Sequence, residues 1–154
     1  MSVYQEAKGS PILKGVIVVL FGVLIYVLYQ PYKLKEEGEL YKRESRARLI
    51  DIRAGQLMFI SDYGRYATTI DSLVAYIKAR MQEGKVADGT FRPLSMSAFA
   101  PESLLHTPGS WKPYVITAVD STVIKKYVVT DPDGYGSIGS LTDDSRVNKA
   151  SWEE

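Results

Sequence analysis

The sequence GVIVVLFGVLIYVLY, residues 15–29, decides the fold, because it is apolar throughout and carries no charged side chain. With its neighbours it forms an apolar segment over residues 12–31. At about 1.5 Å per residue, a helix of that length crosses a bilayer core of roughly 30 Å. The sequence therefore predicts a transmembrane helix over residues 15–31, with a short N-terminal tail over residues 1–14.

The C-terminal end of this segment has the features of a membrane interface. Tyr26, Tyr29 and Tyr32 lie there, as in the aromatic belts of membrane proteins, and Pro31 predicts a kink or break in the helix. No small-x-small cleavage site follows. These features favour a retained anchor over a cleaved signal peptide.

The overall composition excludes several classes of function. Lys and Arg total 19 against 18 Asp and Glu, so the chain lacks the basic excess typical of proteins that bind nucleic acid. There is no cysteine, which excludes disulfides, thiolate zinc sites and cysteine nucleophiles. His106 is the one histidine, and its position before a Thr-Pro-Gly sequence indicates a surface loop.

The charges around the apolar segment give one indication of its orientation. Only Lys8 and Lys14 precede residues 15–31, whereas many basic residues follow them: Lys33, Lys35, Lys42, Arg43, Arg46 and Arg48. By the positive-inside rule, this distribution favours a C-terminal domain in the cytoplasm.

A long amphipathic helix is predicted to continue the membrane segment over residues 34–60. The predicted apolar face has helical spacing and consists of Ala47, Ile50, Ala54 and Leu57, widened by Leu49, Ile52, Met58 and Phe59. The opposite, polar face is predicted to carry Arg46, Arg53 and Gln56. Gly64 is suited to the position that ends a helix.

A second, shorter helix is predicted to begin after Thr68 or Thr69 and to end at Gly84. Thr68 or Thr69 is a candidate N-cap, and Thr68 with Asp71 approximates a capping box. Gly84 ends the apolar pattern. The following stretch, residues 85–113, is rich in proline, glycine and serine and predicts a long loop.

Two segments then predict a β-hairpin. Residues 114–119 and 123–129 are rich in β-branched and aromatic side chains, and Asp120-Ser121 between them predicts a tight turn. The adjacent Lys125 and Lys126 indicate an edge or solvent-facing position for the second strand.

The tail after residue 130 contains the candidate metal ligands. Its aspartates and glycines favour a solvated, turn-rich tail, since both residue types favour turns without any metal. The alternative is a calcium site, with oxygen ligands from Asp131, Asp133, Asp143 and Asp144. Trp152 is predicted to hold this tail against the core.

The stretch from Ala47 to Ile77 resembles the major pseudopilins of type II secretion. Residues 63–69, YGRYATT, stand where that family has a Tyr-Pro-Thr-Thr turn, and Pro31 stands near its kinking proline. The resemblance implies a membrane helix that continues into an amphipathic helix, then a short helix and a small antiparallel sheet. It also implies a periplasmic soluble domain, opposite to the charge distribution.

The sequence departs from that family at the processing site. A prepilin has a glutamate at the fifth residue after the processed glycine, whereas Gly15 is followed by residues 16–20, VIVVL. We therefore expect the first fourteen residues to be retained and no extruded homopolymer to form. The same stretch, with PYKLKEE and the closing NKASWEE, also resembles an uncharacterised family of single-pass membrane proteins from Bacteroidota-type bacteria.

These observations predict an α+β, pilin-like fold with a soluble domain over residues 32–154. The expected function is non-enzymatic: a structural subunit of a secretion- or pilus-type assembly, anchored in a bacterial inner membrane with its soluble domain in the periplasm. Its expected partners are other membrane subunits and the lipid bilayer. The alternatives are an anchored peptide- or ligand-binding module, which would use the edge of the hairpin, and an accessory subunit of a membrane enzyme complex.

Overall fold

A computed structural model describes residues 10–92, 99–120 and 123–153 and shows an α+β fold. Two α-helices come first, α1 over Pro11–Tyr63 and α2 over Ile70–Gln82. Three short strands follow, β1 over Val115–Val119, β2 over Lys126–Thr130 and β3 over Ser137–Gly139. Two 3₁₀ turns, Pro101–Leu104 and Asp144–Arg146, flank the sheet in sequence. The predicted order of elements is confirmed.

By its internal contacts the chain divides into two units, Met1–Glu39 and Leu40–Glu154. In the first unit α1 is apolar and exposed, and it is the one helix of the described residues that is long and apolar enough to cross a membrane. Pro31 lies inside α1, so the helix does not break there. Proline at that position removes one backbone hydrogen bond but leaves the helical path intact.

In the second unit α1 buries part of the predicted face, since Leu49 and Ile52 are fully buried as predicted. Leu57 is exposed, and Ala47, Ile50 and Ala54 are only partly buried. The buried face includes four polar or charged side chains. Its members are Ser45, Arg48, Leu49, Asp51, Ile52, Gly55 and Gln56. The prediction was wrong for Leu57 and for Gln56, because polar residues were assigned to solvent, whereas tertiary partners satisfy several of them in the interior.

Gln56 illustrates this correction. Its amide group donates to the backbone oxygen of Ala67 at 3.0 Å and accepts from the backbone nitrogen of the same residue at 2.8 Å. Burying an amide is favourable only when such bonds replace those to water. Gln56 therefore fastens the loop after α1 to the helix itself.

The loop between the helices begins and ends at the expected residues. Gly64 has a φ of +67°, the left-handed conformation that favours glycine after a helix, and its nitrogen donates to the oxygen of Ile60 at 2.8 Å. Thr69, rather than Thr68, is the N-cap of α2, and its hydroxyl accepts from the backbone nitrogen of Ser72. The predicted capping box with Asp71 is therefore wrong.

Helix α2 approaches α1 closely at Gly55. A β-carbon at this position would lie 2.7 Å from the Cδ1 atom of Ile77 and 3.4 Å from that of Leu73. Both of those α2 residues are fully buried. The absence of a side chain at Gly55 therefore lets the two helices pack against each other.

The sheet is antiparallel, with the strand order β1-β2-β3. Val115 pairs with Thr130 at one end of β1, and Val119 pairs with Lys126 at the other. The connection from β1 to β2 covers residues 120–125, so it is longer than the predicted two-residue turn; Ser121 lies outside the described residues. Because β3 lies beside β2, the second strand is central, and its predicted edge position is wrong.

The core lies between the inner face of the sheet and the two helices. Tyr127, Val129 and Ile138 are fully buried from the sheet side, and Leu49 and Ile52 are fully buried from α1. Trp152 packs against this core from the C-terminal tail, as predicted, and the guanidinium of Arg46 lies 4.8 Å from the centroid of its ring.

Candidate functional site

A buried polar cluster joins α1 to the sheet. It consists of Ser45, Tyr114 and Asp131, each almost inaccessible to solvent. The Ser45 hydroxyl donates to a carboxylate oxygen of Asp131, and its oxygen lies 2.9 Å from the hydroxyl of Tyr114. Since serine has one hydroxyl proton, Tyr114 donates to Ser45. Burial raises the pKa of Tyr114 far above its usual range, so the phenol remains a neutral donor.

Asp131 in turn orders the second aspartate of the Asp-Pro-Asp-Gly sequence. Its Oδ1 atom accepts from the backbone nitrogen of Asp133 at 2.6 Å, which is an Asx turn. The backbone nitrogen of Gly134 donates to the oxygen of Asp131 at 3.1 Å. The cluster therefore fixes the position of the Asp133 carboxylate.

The Asp133 carboxylate holds a surface turn, residues 107–112, which we call the tryptophan turn. It accepts from the hydroxyl of Ser110 at 2.5 Å and from the Ser110 nitrogen at 3.3 Å, and the Lys112 amine lies 3.7 Å away. Desolvation acts to raise the pKa of Asp133, but hydrogen bonds from Ser110 and Thr107 outweigh it and lower that pKa. The carboxylate is therefore charged at neutral pH.

Trp111 is the exposed feature of this turn. Its φ is +58°, a left-handed conformation that a bulky residue rarely adopts, and 70% of its surface is exposed. Its ring stacks on that of His106, with centroids 5.0 Å apart and planes 5° from parallel. The backbone oxygen of His106 accepts from Arg48 at 2.6 Å. The fold thus presents an aromatic pair on a constrained backbone.

The strand that follows the turn has an open edge. Ile116 and Ala118 of β1 pack against the core, so Val115, Thr117 and Val119 point to the opposite face of the sheet. Val115 and Thr117 are exposed. The described residues provide no backbone hydrogen bond to β1 from the side away from β2. The tryptophan turn and this edge together form the candidate interaction site.

The structure brings two of the four predicted calcium ligands together. Asp131 and Asp133 belong to the network above, whereas Asp143 accepts from the Ser145 nitrogen at 2.9 Å, and Asp144 forms an ion pair with Lys126. No group of three metal-binding His, Cys, Asp or Glu side chains occurs among the described residues. The calcium site stays a prediction.

A further buried carboxylate lies on α1 at Asp51. Its Oδ1 atom accepts from the backbone nitrogen of Arg92 at 3.0 Å, while its buried Oδ2 atom has no hydrogen-bond partner among the described residues. Burial raises the pKa of Asp51 from 3.8 to about 6, against the opposing effects of the Arg92 hydrogen bond and charge. The Asp51 carboxyl therefore keeps its proton to a higher pH than an ordinary aspartate does.

Sequence reasoning missed two of these residues for different reasons. Ser45 lies in a charged stretch of α1 without any pattern that marks it as buried. Trp111 follows Pro108 and Gly109, so a turn was foreseeable, but its exposure and its left-handed backbone depend on the distant Asp133.

No protein-family model, curated protein or solved structure matches the chain.

Proposed function

We propose that the protein is a non-enzymatic, pilin-like structural subunit of an envelope-spanning assembly of the secretion or pilus type. In this proposal it is anchored in a bacterial inner membrane by one helix, and the unit Leu40–Glu154, which we call the soluble unit, lies in the periplasm. The observation that carries the proposal is that α1, over Pro11–Tyr63, has two parts with different surroundings. Its first part is apolar and exposed, and its last part forms one wall of an α+β core.

The exposure of the first part of α1 supports the membrane anchor. Large apolar side chains such as Phe21 and Leu24 have more than half of their surface exposed, at 63% and 51%. Soluble monomers rarely expose apolar patches of this extent, since each exposed side chain forfeits about 1.5–3 kcal/mol of burial free energy. Lipid and neighbouring membrane helices are the environments that cover such a surface.

The soluble unit supports a structural role. Its best-formed polar cluster uses Ser45, Tyr114 and Asp131 to fix backbone segments, and these groups are buried. The residues it exposes are suited to contact with a protein, since Trp111 is a rigid aromatic side chain of the kind that dominates interface energies.

A second candidate function is supported by the open edge of β1. A membrane-anchored module can bind an extended peptide when the peptide adds a strand to an uncovered sheet edge. Here the edge is uncovered over Val115–Val119 among the described residues, and Trp111 lies just before it. The third possibility, an accessory subunit of a membrane enzyme complex, shares the membrane helix with the first.

Site-specific cross-linking separates the first and third candidates from the second. A photo-reactive phenylalanine analogue at Leu24 is expected to yield a discrete adduct with a different membrane protein in native membranes. The matched control places the analogue at Thr142, an exposed position of the soluble unit. Adducts with lipid alone from Leu24 would contradict the assembly proposal, and the identity of the partner would distinguish a secretion-type subunit from an enzyme.

Orientation has its own test, because the charge distribution and the pseudopilin resemblance disagree. The chain lacks cysteine, so Ser2→Cys and Thr142→Cys each introduce a single thiol. In intact spheroplasts an impermeant thiol reagent is expected to label position 142 and not position 2. The reverse pattern would place the soluble unit in the cytoplasm and rule out the periplasmic proposal.

A further inference from the structure

The two edges of the sheet differ in how they are protected. The outer side of β3 is covered by the C-terminal tail, where Gly139 donates to the oxygen of Lys149 at 3.0 Å and Ser151 donates to that of Ser137 at 2.8 Å. The outer side of β1 has no such cover among the described residues. Among the described residues the sheet therefore has one uncovered edge.

Within Val115–Val119 this edge lacks the devices by which proteins prevent strand pairing, and the antiparallel bridge between Pro113 and His106 lies just before it. Proline, lysine, inward-pointing charges and bulges are the usual ones. The strand β1, with the sequence VITAV over Val115–Val119, contains none of these residues and pairs with β2 in regular register throughout. Such an edge is a template for a further strand.

The outward-facing side chains of β1 are arranged symmetrically about its central residue, Thr117. On the outer face Val115 and Val119 lie at equal distances from Thr117. Antiparallel pairing with an identical strand therefore places valine opposite valine and threonine opposite threonine. Both are favourable cross-strand pairs, each contributing roughly 0.2–1 kcal/mol relative to alanine pairs.

Two exposed apolar residues beyond the ends of β1 are also equally spaced in sequence from Thr117. Trp111 precedes Thr117 by as many residues as Val123 follows it, and Val123 is fully exposed. An antiparallel arrangement brings the beginning of one strand to the end of the other. It thus places the tryptophan turn of one copy at the end of the sheet where Val123 of the other copy lies.

We propose that β1 pairs with β1 of a second copy of this chain, antiparallel and centred on Thr117, to form a continuous six-stranded sheet across a two-fold axis. Two-fold interfaces of this kind require a self-complementary surface, which the β1 pattern supplies. A charged peptide would find no complementary charge on β1. The proposal does not depend on the function of the assembly.

Disulfide trapping in the full-length protein, purified in mild detergent, tests this pairing. Thr117→Cys places two thiols on the two-fold axis at the Cβ separation of about 4.5–5.5 Å found for directly opposite residues, and oxidation is expected to yield a covalent dimer. The matched control is Thr130→Cys, an exposed position on the central strand β2. Its counterpart in the second copy is three strand spacings across the sheet and four residues along it, about 20 Å away, and should not cross-link.

The register has a separate test with two differently tagged chains. Val115→Cys in one and Val119→Cys in the other should form the mixed disulfide, whereas each variant alone should cross-link at least tenfold less. Adding Thr117→Lys to both chains places like charges on the two-fold axis. It should lower the yield of the mixed disulfide at least tenfold. Because Thr117 is exposed, the melting temperature should hardly change.

Three results would overturn the proposal. The first is the absence of a Thr117→Cys dimer under conditions that oxidise the thiol. The second is a mixed disulfide that Thr117→Lys leaves intact. The third, from oxidation in native membranes before purification, is an adduct of Thr117→Cys with a different protein and none with itself, which would assign the edge to strand addition by a heterologous peptide.

Discussion

Ser45 of α1 donates a hydrogen bond to Asp131, which follows β2, although 86 residues separate them in sequence. The bond connects the helix that enters the soluble unit to the segment that orders the tryptophan turn. Because both side chains are buried, neither can exchange this partner for water. The conformation of the exposed turn thus depends on a contact in the interior.

We expect Ser45→Ala to destabilise the soluble unit by about 1–3 kcal/mol, the usual cost of leaving a buried hydrogen-bonding group without its partner. Asp88→Ala is the matched control, because Asp88 is exposed and should change stability by less than about 0.5 kcal/mol. Thermal unfolding of the full-length protein in detergent measures both. Equal stability of the two variants would show that the Ser45–Asp131 bond contributes nothing.

The left-handed backbone at Trp111 leads to a second prediction. Glycine adopts this conformation at no steric cost, whereas alanine incurs roughly 1–2 kcal/mol. Trp111→Gly should therefore be more stable than Trp111→Ala, and unfolding experiments on the two variants measure the difference. At Lys78, inside α2, the order should be reversed because glycine weakens a helix. The same order at both positions would contradict a strained backbone at Trp111.

Asp51 makes the stability of the soluble unit depend on pH. Its pKa is raised from 3.8 to about 6 in the folded state, so the native protein binds this proton more tightly than the unfolded chain. Its contribution therefore favours folding below about pH 4 and is lost as the pH rises through about 6. The shift corresponds to at most about 3 kcal/mol.

The measurement is the melting temperature of the wild type and of Asp51→Asn between pH 4.5 and 7.5. The uncharged variant should melt higher than the wild type at pH 7.5, and the gap should close as the pH falls. Asp88→Asn, an exposed carboxylate, serves as the control and should follow the wild type. A gap that stays constant across this range would exclude Asp51 as the titrating group.

Calcium binding by the aspartate tail is a fourth prediction. A ligand that binds only the native state stabilises it, so millimolar calcium should raise the melting temperature, and magnesium at the same concentration should do so less. Asp131→Ala with Asp133→Ala, the two predicted ligands that lie together, should abolish this gain when each variant is compared with and without calcium. The same melting temperature with and without calcium would leave the turn-rich tail as the correct interpretation.

Several elements of the fold were predictable because local signals determine them. The apolar run over residues 15–29 predicts the exposed part of α1, and Gly64, with its positive φ, marks where α1 ends. The hairpin strands follow from their β-branched residues. Strand β3, with three residues over Ser137–Gly139, is too short to form a pattern, so its place beside β2 was not predicted.

The buried face of α1 and the candidate site depend on distant partners instead. Gln56 is inside because the backbone of Ala67 satisfies its amide, and Ser45 is inside because Asp131 and Tyr114 lie opposite it. A periodicity argument assigns such polar residues to solvent. The open edge of β1 likewise becomes visible only when the strand order is known.

The central claim is that the protein works as a fixed subunit beside other membrane proteins. Native mass spectrometry of the protein, purified from its own membranes in mild detergent, tests it most directly. We expect a complex that contains this chain and at least one different membrane protein in a constant ratio. A particle composed of this chain alone, whether monomer or dimer, would show that the protein is not such a subunit.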